Sequence, residues 1–163
     1  MLVLHLKKYK ERHVYSWYRC IIKIMNKEEI KNIIPHRDSM LLLDEVKINE
    51  EGKAIGIKSI IGDEWFLNGH FPENPIVPGV ILCEILAQSV CILLPKEKLN
   101  DGTPYFTGLD KVRFKSPVKP GDTFITECEL LKQKYPFFFA KGKGYVNNEL
   151  CVSAEFSFAI INN

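Results

Sequence analysis

With 163 residues, 46% of them hydrophobic and 26% charged, the chain can bury one sizeable core, and its composition excludes the disordered and fibrous classes. The formal net charge of +2 is unevenly placed. In residues 1–25, Lys7, Lys8, Lys10, Arg12, Arg19 and Lys23 stand against Glu11 alone, so residues 26–163 are mildly acidic. Such a body lacks the concentrated basic surface that nucleic acid demands, and any acidic partner must be met by local Lys and Arg clusters.

Cys20, Cys83, Cys91, Cys128 and Cys151 are odd in number, widely spaced and without a CxxC pair. That argues against a secreted disulfide framework or a structural zinc site, and for a reducing cytoplasm. Val14 to Ile24 is interrupted by Arg19 and Lys23, so it is too short and too charged to span a membrane, and no clear small-residue cleavage site follows an apolar stretch. Residues 1–24 read as a basic extension ahead of a single domain at 25–163. A misassigned start at Met25 and a transit peptide are the other readings.

Asn26 followed by Glu28 and Glu29, then Ile30, Ile33 and Ile34, reads as an N-capped short helix ended by Pro35. Met40 to Ile48 reads as a strand, Glu50-Glu51-Gly52 as a turn, and Lys53 to Ile61 as a second, alternating strand. From Gly62 to Pro78, two glycines and three prolines break the pattern into a stiff loop, of the kind that carries binding or catalytic groups. GVILCEILAQSVCILL, residues 79–94, is long enough for about four helical turns and apolar nearly all round, a buried core helix. Pro104 to Leu109, Val112 to Lys115, Thr123 to Lys132, Phe137 to Val146 and Leu150 to Ile161 read as strands. This order suits an α+β architecture, a mostly antiparallel sheet wrapped around the central helix.

Glu84 is the only charged residue between Gly79 and Leu94, and glutamate is seldom buried without a partner. Gln88 lies four residues on, on the same face. The resulting polar stripe marks either a wet seam or the wall of a ligand channel. His70 sits in GHFPENPIVPG; a loop histidine is commonly a plain surface residue, but these prolines fix the backbone around a natural general base. Gly79 opens the helix after Pro78, so its N–H points out of the positive end, where it would polarise a thioester carbonyl. A base, an acid and an enolate-stabilising N–H are what α-proton abstraction with loss of a β leaving group requires. No P-loop, HExxH or serine elbow accompanies them, so no cofactor and no metal are expected.

GHFPENPIVPGVILCEILAQ at 69–88 resembles the signature of the 3-hydroxyacyl-[acyl-carrier-protein] dehydratases of type II fatty acid synthesis. IIPHRDSMLLLDEV at 33–46 and GLDKVRFKSPVKPGD at 108–122 follow in that family's order, and the resemblance covers residues 26–161. It implies a hot-dog fold, a dimer that in bacterial members usually builds a trimer of dimers, and a site at the dimer interface pairing His70 of one chain with Glu84 of the other. The family's oxyanion-binding glycine falls on Gly79. Departures stand at Glu73-Asn74, Val77 and Asp38-Ser39, away from the base and acid.

The resulting expectation is a cofactor-free hydro-lyase in the cytoplasm. His70 takes the α-proton, Gly79 steadies the enolate oxygen, and Glu84, its pKa raised by an apolar helix, gives a proton to the departing hydroxyl. Gln88 orients Glu84 or water, and Phe71, Ile76, Ile81 and Ile85 are candidates either for an acyl channel or simply for the core. The partner is an acidic acyl carrier protein bearing a phosphopantetheine arm, met by Lys111, Arg113 and Lys115, with a structural ion pair as the alternative for Arg113. The apolar central helix calls for an obligate dimer; neither nucleic acid nor membrane is expected. Rival readings are a dehydratase that also forms the cis-3-enoyl isomer, whose family typically carries aspartate at the place of Glu84, a hot-dog thioesterase, and a non-catalytic acyl-binding domain.

Overall fold

The computed structural model describes residues 23–95 and 102–162; the basic extension expected at 1–24 lies almost wholly outside them. Seven strands, β1 (Met25–Asn26), β2 (Glu45–Ile48), β3 (Ala54–Ser59), β4 (Gly102–Phe114), β5 (Thr123–Lys134), β6 (Phe137–Val146) and β7 (Glu149–Asn162), form one sheet in the order β1-β2-β3-β5-β6-β7-β4. Every neighbouring pair is antiparallel. A short helix α1 (Lys27–Ile30) precedes β2, and the long helix α2 (Gly79–Val90), extended by a 3-10 turn at Cys91–Leu93, runs across one face of the sheet. This is the sheet-around-helix arrangement of the hot-dog fold.

The strands form because their side chains alternate. In β6 every second residue from Phe138 to Gly144 is buried, and Ala140, Gly142 and Gly144 leave that inner face nearly bare. Phe124 and Leu86 occupy the vacated space, so a Cβ on Gly144 would lie 2.1 Å from the Phe124 ring and one on Gly142 3.1 Å from Leu86. Close approach also explains Gly56 in β3, where a Cβ would meet the Ser89 hydroxyl at 2.3 Å. There the Ser89 hydroxyl donates to the Ile85 carbonyl and, by hydrogen count, receives the Thr126 hydroxyl at 2.7 Å, while Thr126 Oγ1 accepts the Gly56 N–H. The polar atoms that helix and sheet bring together are thus paired.

Three elements differ from the sequence reading. Of the strand expected at Met40 to Ile48, the ladder holds Glu45–Ile48 alone; Leu41, Leu42 and Leu43 are buried core residues in irregular backbone. The two short strands at 104–109 and 112–115 are one long edge strand, β4, carried past Asp110–Arg113 by a bulge with Lys111 in the left-handed region at φ 49°. Pro104 is tolerated in it because β4 lies at the sheet's margin. The third, the short N-terminal helix, is capped as expected, with Asn26 accepting from Glu29 N–H and Glu29 reaching back to Asn26 N–H, but it ends at Ile30 and gives way to turns before Pro35.

The central helix is covered more completely by its own chain than its composition implies. Eight of its residues are buried; what stays uncovered is a stripe at helical spacing, Val80 exposed with Glu84 and Ala87 half-buried.

Filling the Gly144 site tests the packing. G144A should destabilise the fold by about 1–3 kcal/mol through overpacking against Phe124, read as a lower denaturation midpoint with an unchanged m-value; a midpoint equal to wild type would mean that the ring yields freely.

Candidate active site

Gln88, 1% exposed, projects from α2 into the segment before β2. Its Oε1 accepts the Leu42 N–H at 3.0 Å, and its Nε2 donates to the Met40 carbonyl at 2.8 Å and to Glu84 Oε1 at 3.0 Å. Both amide hydrogens and the carbonyl are used, which fixes the amide's orientation. Leu42 gives its N–H to a helix side chain and not to a neighbouring strand, and this is why the run 41–43 stays out of the ladder.

Glu84 Oε1 receives a second donor, His36 Nε2, at 3.1 Å, and both side chains are about one-fifth exposed. Burial pushes the Glu84 carboxyl up, but the hydrogen bonds from His36 and Gln88 outweigh it and hold the group below the usual carboxylate range. The raised acid expected from the sequence is therefore reversed. Counting apolar neighbours accounts for burial and omits the two donors that a distant loop and the next helical turn supply.

His36 was not among the sequence candidates. The one signal for it was its place in IIPHRDSM, immediately after Pro35. Arg37 Nη1 donates to the carbonyls of Ile34 and His36 at 2.8 and 2.7 Å and so clamps the backbone that presents the ring.

The loop carrying His70 is braced at both ends. Glu64 accepts the N–H groups of Ile61 and Gly62, each at 2.9 Å, and Lys58, nearly buried, lies 3.4 Å from Glu64. Trp65 Nε1 donates to the Ser39 carbonyl, and Val77 N–H to the Val118 carbonyl. Gly69, at φ +80°, turns the chain immediately before the histidine. His70 Nδ1 then lies 3.1 Å from the Ile76 carbonyl. A carbonyl can only accept, so Nδ1 carries the hydrogen and Nε2 of the neutral ring is left as a bare basic lone pair. Gly79 opens α2 with Pro78 as its N-cap; its N–H meets no acceptor among the described residues. A Cβ at Gly79 would stand 2.7 Å from the Phe114 ring, so a side chain there would force that ring aside.

Among the described residues no hydrogen bond or ion pair joins His70 to Glu84 within the chain. A small hollow beside Glu84 is lined by His36, Ala87, Gln88, Cys91, Phe106 and Phe158 among others. The expected channel residues fall elsewhere: Ile81 and Ile85 lie in the core, Ile76 is half-buried, and Phe71 is half-exposed with its ring centroid 4.0 Å from that of His70. Cys91, in the hollow, has its thiol pushed up to about 12, first by burial and then by the Glu84 charge, so it is no thiolate nucleophile. Of the basic candidates, Lys111 is paired with Glu155 at 2.9 Å, whereas Arg113 and Lys115 are exposed and make no ion pair among the described residues. A larger groove on the outer face of the sheet holds neither His70 nor Glu84, and its Lys53–Glu127 and Lys141–Glu129 pairs neutralise one another. Among the described residues no three His, Cys, Asp or Glu side chains converge as a metal ion would need, and no helix is long and apolar enough to cross a membrane.

Solved structures define the fold class. The chain superposes on the dehydratase heterocomplex ApeI:P from Xenorhabdus doucetiae with a TM-score of 0.69 at 19% identity, covering 82% of this chain and 91% of that one. A probable thioesterase from Bartonella henselae gives a TM-score of 0.54 at 11% identity over 68% and 91% of the two chains, so the fold alone does not choose the chemistry. Sequence relationship does so at the level of family. Residues 34–155 match the model of the FabA-like domain, and the chain belongs to that family. It is 44% identical over 138 residues to the 3-hydroxyacyl-[acyl-carrier-protein] dehydratase FabZ of Clostridium perfringens, covering 84% of this chain and 99% of the relative. It is 46% identical to the protein of the same name from Caldicellulosiruptor bescii, over 83% and 98%.

Replacing Gln88 by leucine keeps the volume and removes all three hydrogen bonds. Each backbone group left unpaired costs about 1–3 kcal/mol, so Q88L should lower the unfolding free energy measurably and speed amide exchange at Leu42. Wild-type exchange at Leu42 would show that Gln88 does not hold the segment.

Proposed function

We propose that this protein dehydrates 3-hydroxyacyl thioesters of acyl carrier protein to the trans-2-enoyl thioesters, as a cofactor-free hydro-lyase of fatty acid synthesis in the cytoplasm. The observation that carries the reading is the state of Glu84: both donors fall on Oε1, and Oε2 is left without a partner among the described residues to serve the reacting hydroxyl. The relatives' names and the family membership supply the substrate class.

The roles follow from the geometry. His70 Nε2, bare because Nδ1 bonds Ile76, takes the proton from the α-carbon as the carbonyl oxygen draws negative charge toward the Gly79 N–H. The C–O bond at the β-carbon then breaks, and Glu84 Oε2 gives its proton to the leaving hydroxyl, which departs as water. A carboxyl held low is ionised at neutral pH, but this does not stop the reaction. Neutral His70 with protonated Glu84, ready for dehydration, carries the same proton count as protonated His70 with ionised Glu84, ready for hydration. One bell-shaped pH profile therefore governs both directions, and burial of Glu84 under the acyl chain raises the share of the dehydrating form.

His70 and Glu84 act across a two-fold dimer. The uncovered stripe of Val80, Glu84 and Ala87, and the free edge of β4 with exposed Tyr105, Phe106 and Leu109, are surfaces that a second copy would cover. The working unit is one hot-dog domain over 25–163, paired and then assembled as a trimer of dimers. Arg113 on the edge strand and Lys115 just beyond its end, both without an ion pair among the described residues, meet the acidic carrier protein, with Lys111 partly neutralised by Glu155.

Complementation tests the shared site. H70A and E84Q homodimers should each lose about 10²–10⁴ of activity while remaining folded. Mixed and refolded, they form heterodimers in which one site joins the intact His70 of one chain to the intact Glu84 of the other. Random pairing makes about half the dimers mixed, so activity should recover to about a quarter of wild type per chain. Verified heterodimers no more active than their parents would overturn the cross-subunit arrangement.

A further inference from the structure

We propose that His36 is a positioning residue for the catalytic acid: its ring holds Glu84 Oε1 from the side opposite the helix, so that the transferable proton resides on Oε2. The inference rests on the dehydratase reading of Glu84 and adds a second histidine, outside the base–acid pair.

Three observations converge on it. First, His36 Nε2 lies 3.1 Å from Glu84 Oε1, the atom that Gln88 Nε2 also reaches at 3.0 Å. Two donors saturate one oxygen and disfavour a proton there, since an O–H on Oε1 would point at N–H groups. Second, His36 Nδ1 is buried and has no hydrogen-bond partner among the described residues. A ring with a single hydrogen, on Nε2, leaves Nδ1 as a bare lone pair, whereas a second hydrogen would give a buried cationic N–H no acceptor. Nε2 is therefore the atom that carries a hydrogen, and the ring meets Glu84 Oε1 as a donor. Third, the ring is held for this task. Arg37 clamps the carbonyls on either side of Pro35, and Gln88 ties Met40 and Leu42 to the same helix that carries Glu84. Cys91, two helical turns beyond Glu84 and lining the same hollow, is kept protonated by burial and by the Glu84 charge.

The balance at Glu84 gives the readout. Burial pushes the carboxyl up and the His36 hydrogen bond pulls it down, so loss of that bond moves the acidic limb of the kcat/KM profile to higher pH. H36N and H36Q separate the donor from the ring. A glutamine amide reaches the place of Nε2; an asparagine amide stops near the place of Nδ1. H36N should lower kcat by about 10²-fold, the scale of a misplaced catalytic group, with KM for the carrier-bound substrate changed less than about threefold, and should shift the acidic limb upward. H36Q should recover most of the kcat and keep the limb in place. A ¹³C titration of the Glu84 carboxyl in both variants reads the same shift without turnover. Equal impairment of H36Q and H36N, or a Glu84 titration unmoved in H36N, overturns the proposal. E84Q in the same assay separates the two levels: an active E84Q removes the reading of Glu84 itself, whereas an inactive E84Q beside an H36N enzyme with wild-type profile removes His36 alone.

Discussion

The amide of Gln88 is the constraint from which the site's geometry follows. One buried side chain spends its carbonyl and both hydrogens on three groups, the N–H of Leu42, the carbonyl of Met40 and Oε1 of Glu84. It thereby stops the segment 41–43 from joining the sheet, holds the preceding loop against α2, and orients the Glu84 carboxyl. A buried polar group of this kind is costly unless every bond is made, and here every bond is made. The loop so held is the one that brings His36 to Glu84, so the helix and the chain far upstream of it share one hydrogen-bond network.

Electrostatics at Glu84 is a contest between opposite effects, and the outcome decides what the residue can do. Burial favours the neutral acid; the hydrogen bonds from His36 and Gln88, with the charge of His36, favour the carboxylate and prevail. Without these donors the carboxyl would be free to rotate. The arrangement gives a carboxyl with one oxygen committed to two donors and the other without a partner among the described residues, as the proposed proton transfer requires. The sheet's part is steric: Gly56 and Gly142 let Ser89 and Leu86 of α2 sit close to β3 and β6, which fixes where its polar stripe emerges.

Much of this was legible in the chain. A single glutamate in an apolar run is conspicuous because burial of charge is expensive, and alternation marks the strands because a sheet with one buried face imposes it. Gly79 and His70 were legible through the prolines around them. What escaped depends on contacts between distant segments. His36 looks like an ordinary loop histidine until the fold brings it to Glu84, and the direction of the Glu84 shift depends on that donor. MLLL reads as a strand, yet its N–H at Leu42 is claimed by Gln88. Asp110 and Lys111 read as a break between strands because two charges interrupt the apolar pattern, whereas the backbone absorbs them in a bulge and continues.

The central claim is that the site eliminates water from a thioester without cleaving it. The direct measurement is incubation of the full-length protein with a series of 3-hydroxyacyl carrier-protein substrates, resolving intact carrier thioesters by mass and their double bonds by chromatography, alongside a free-thiol assay. The account predicts a loss of about 18 mass units per carrier, one water by general acid–base elimination, with a trans-2 double bond and no release of carrier thiol. Free thiol appearing at the rate of substrate loss, or a cis-3 double bond as the main product, would contradict it.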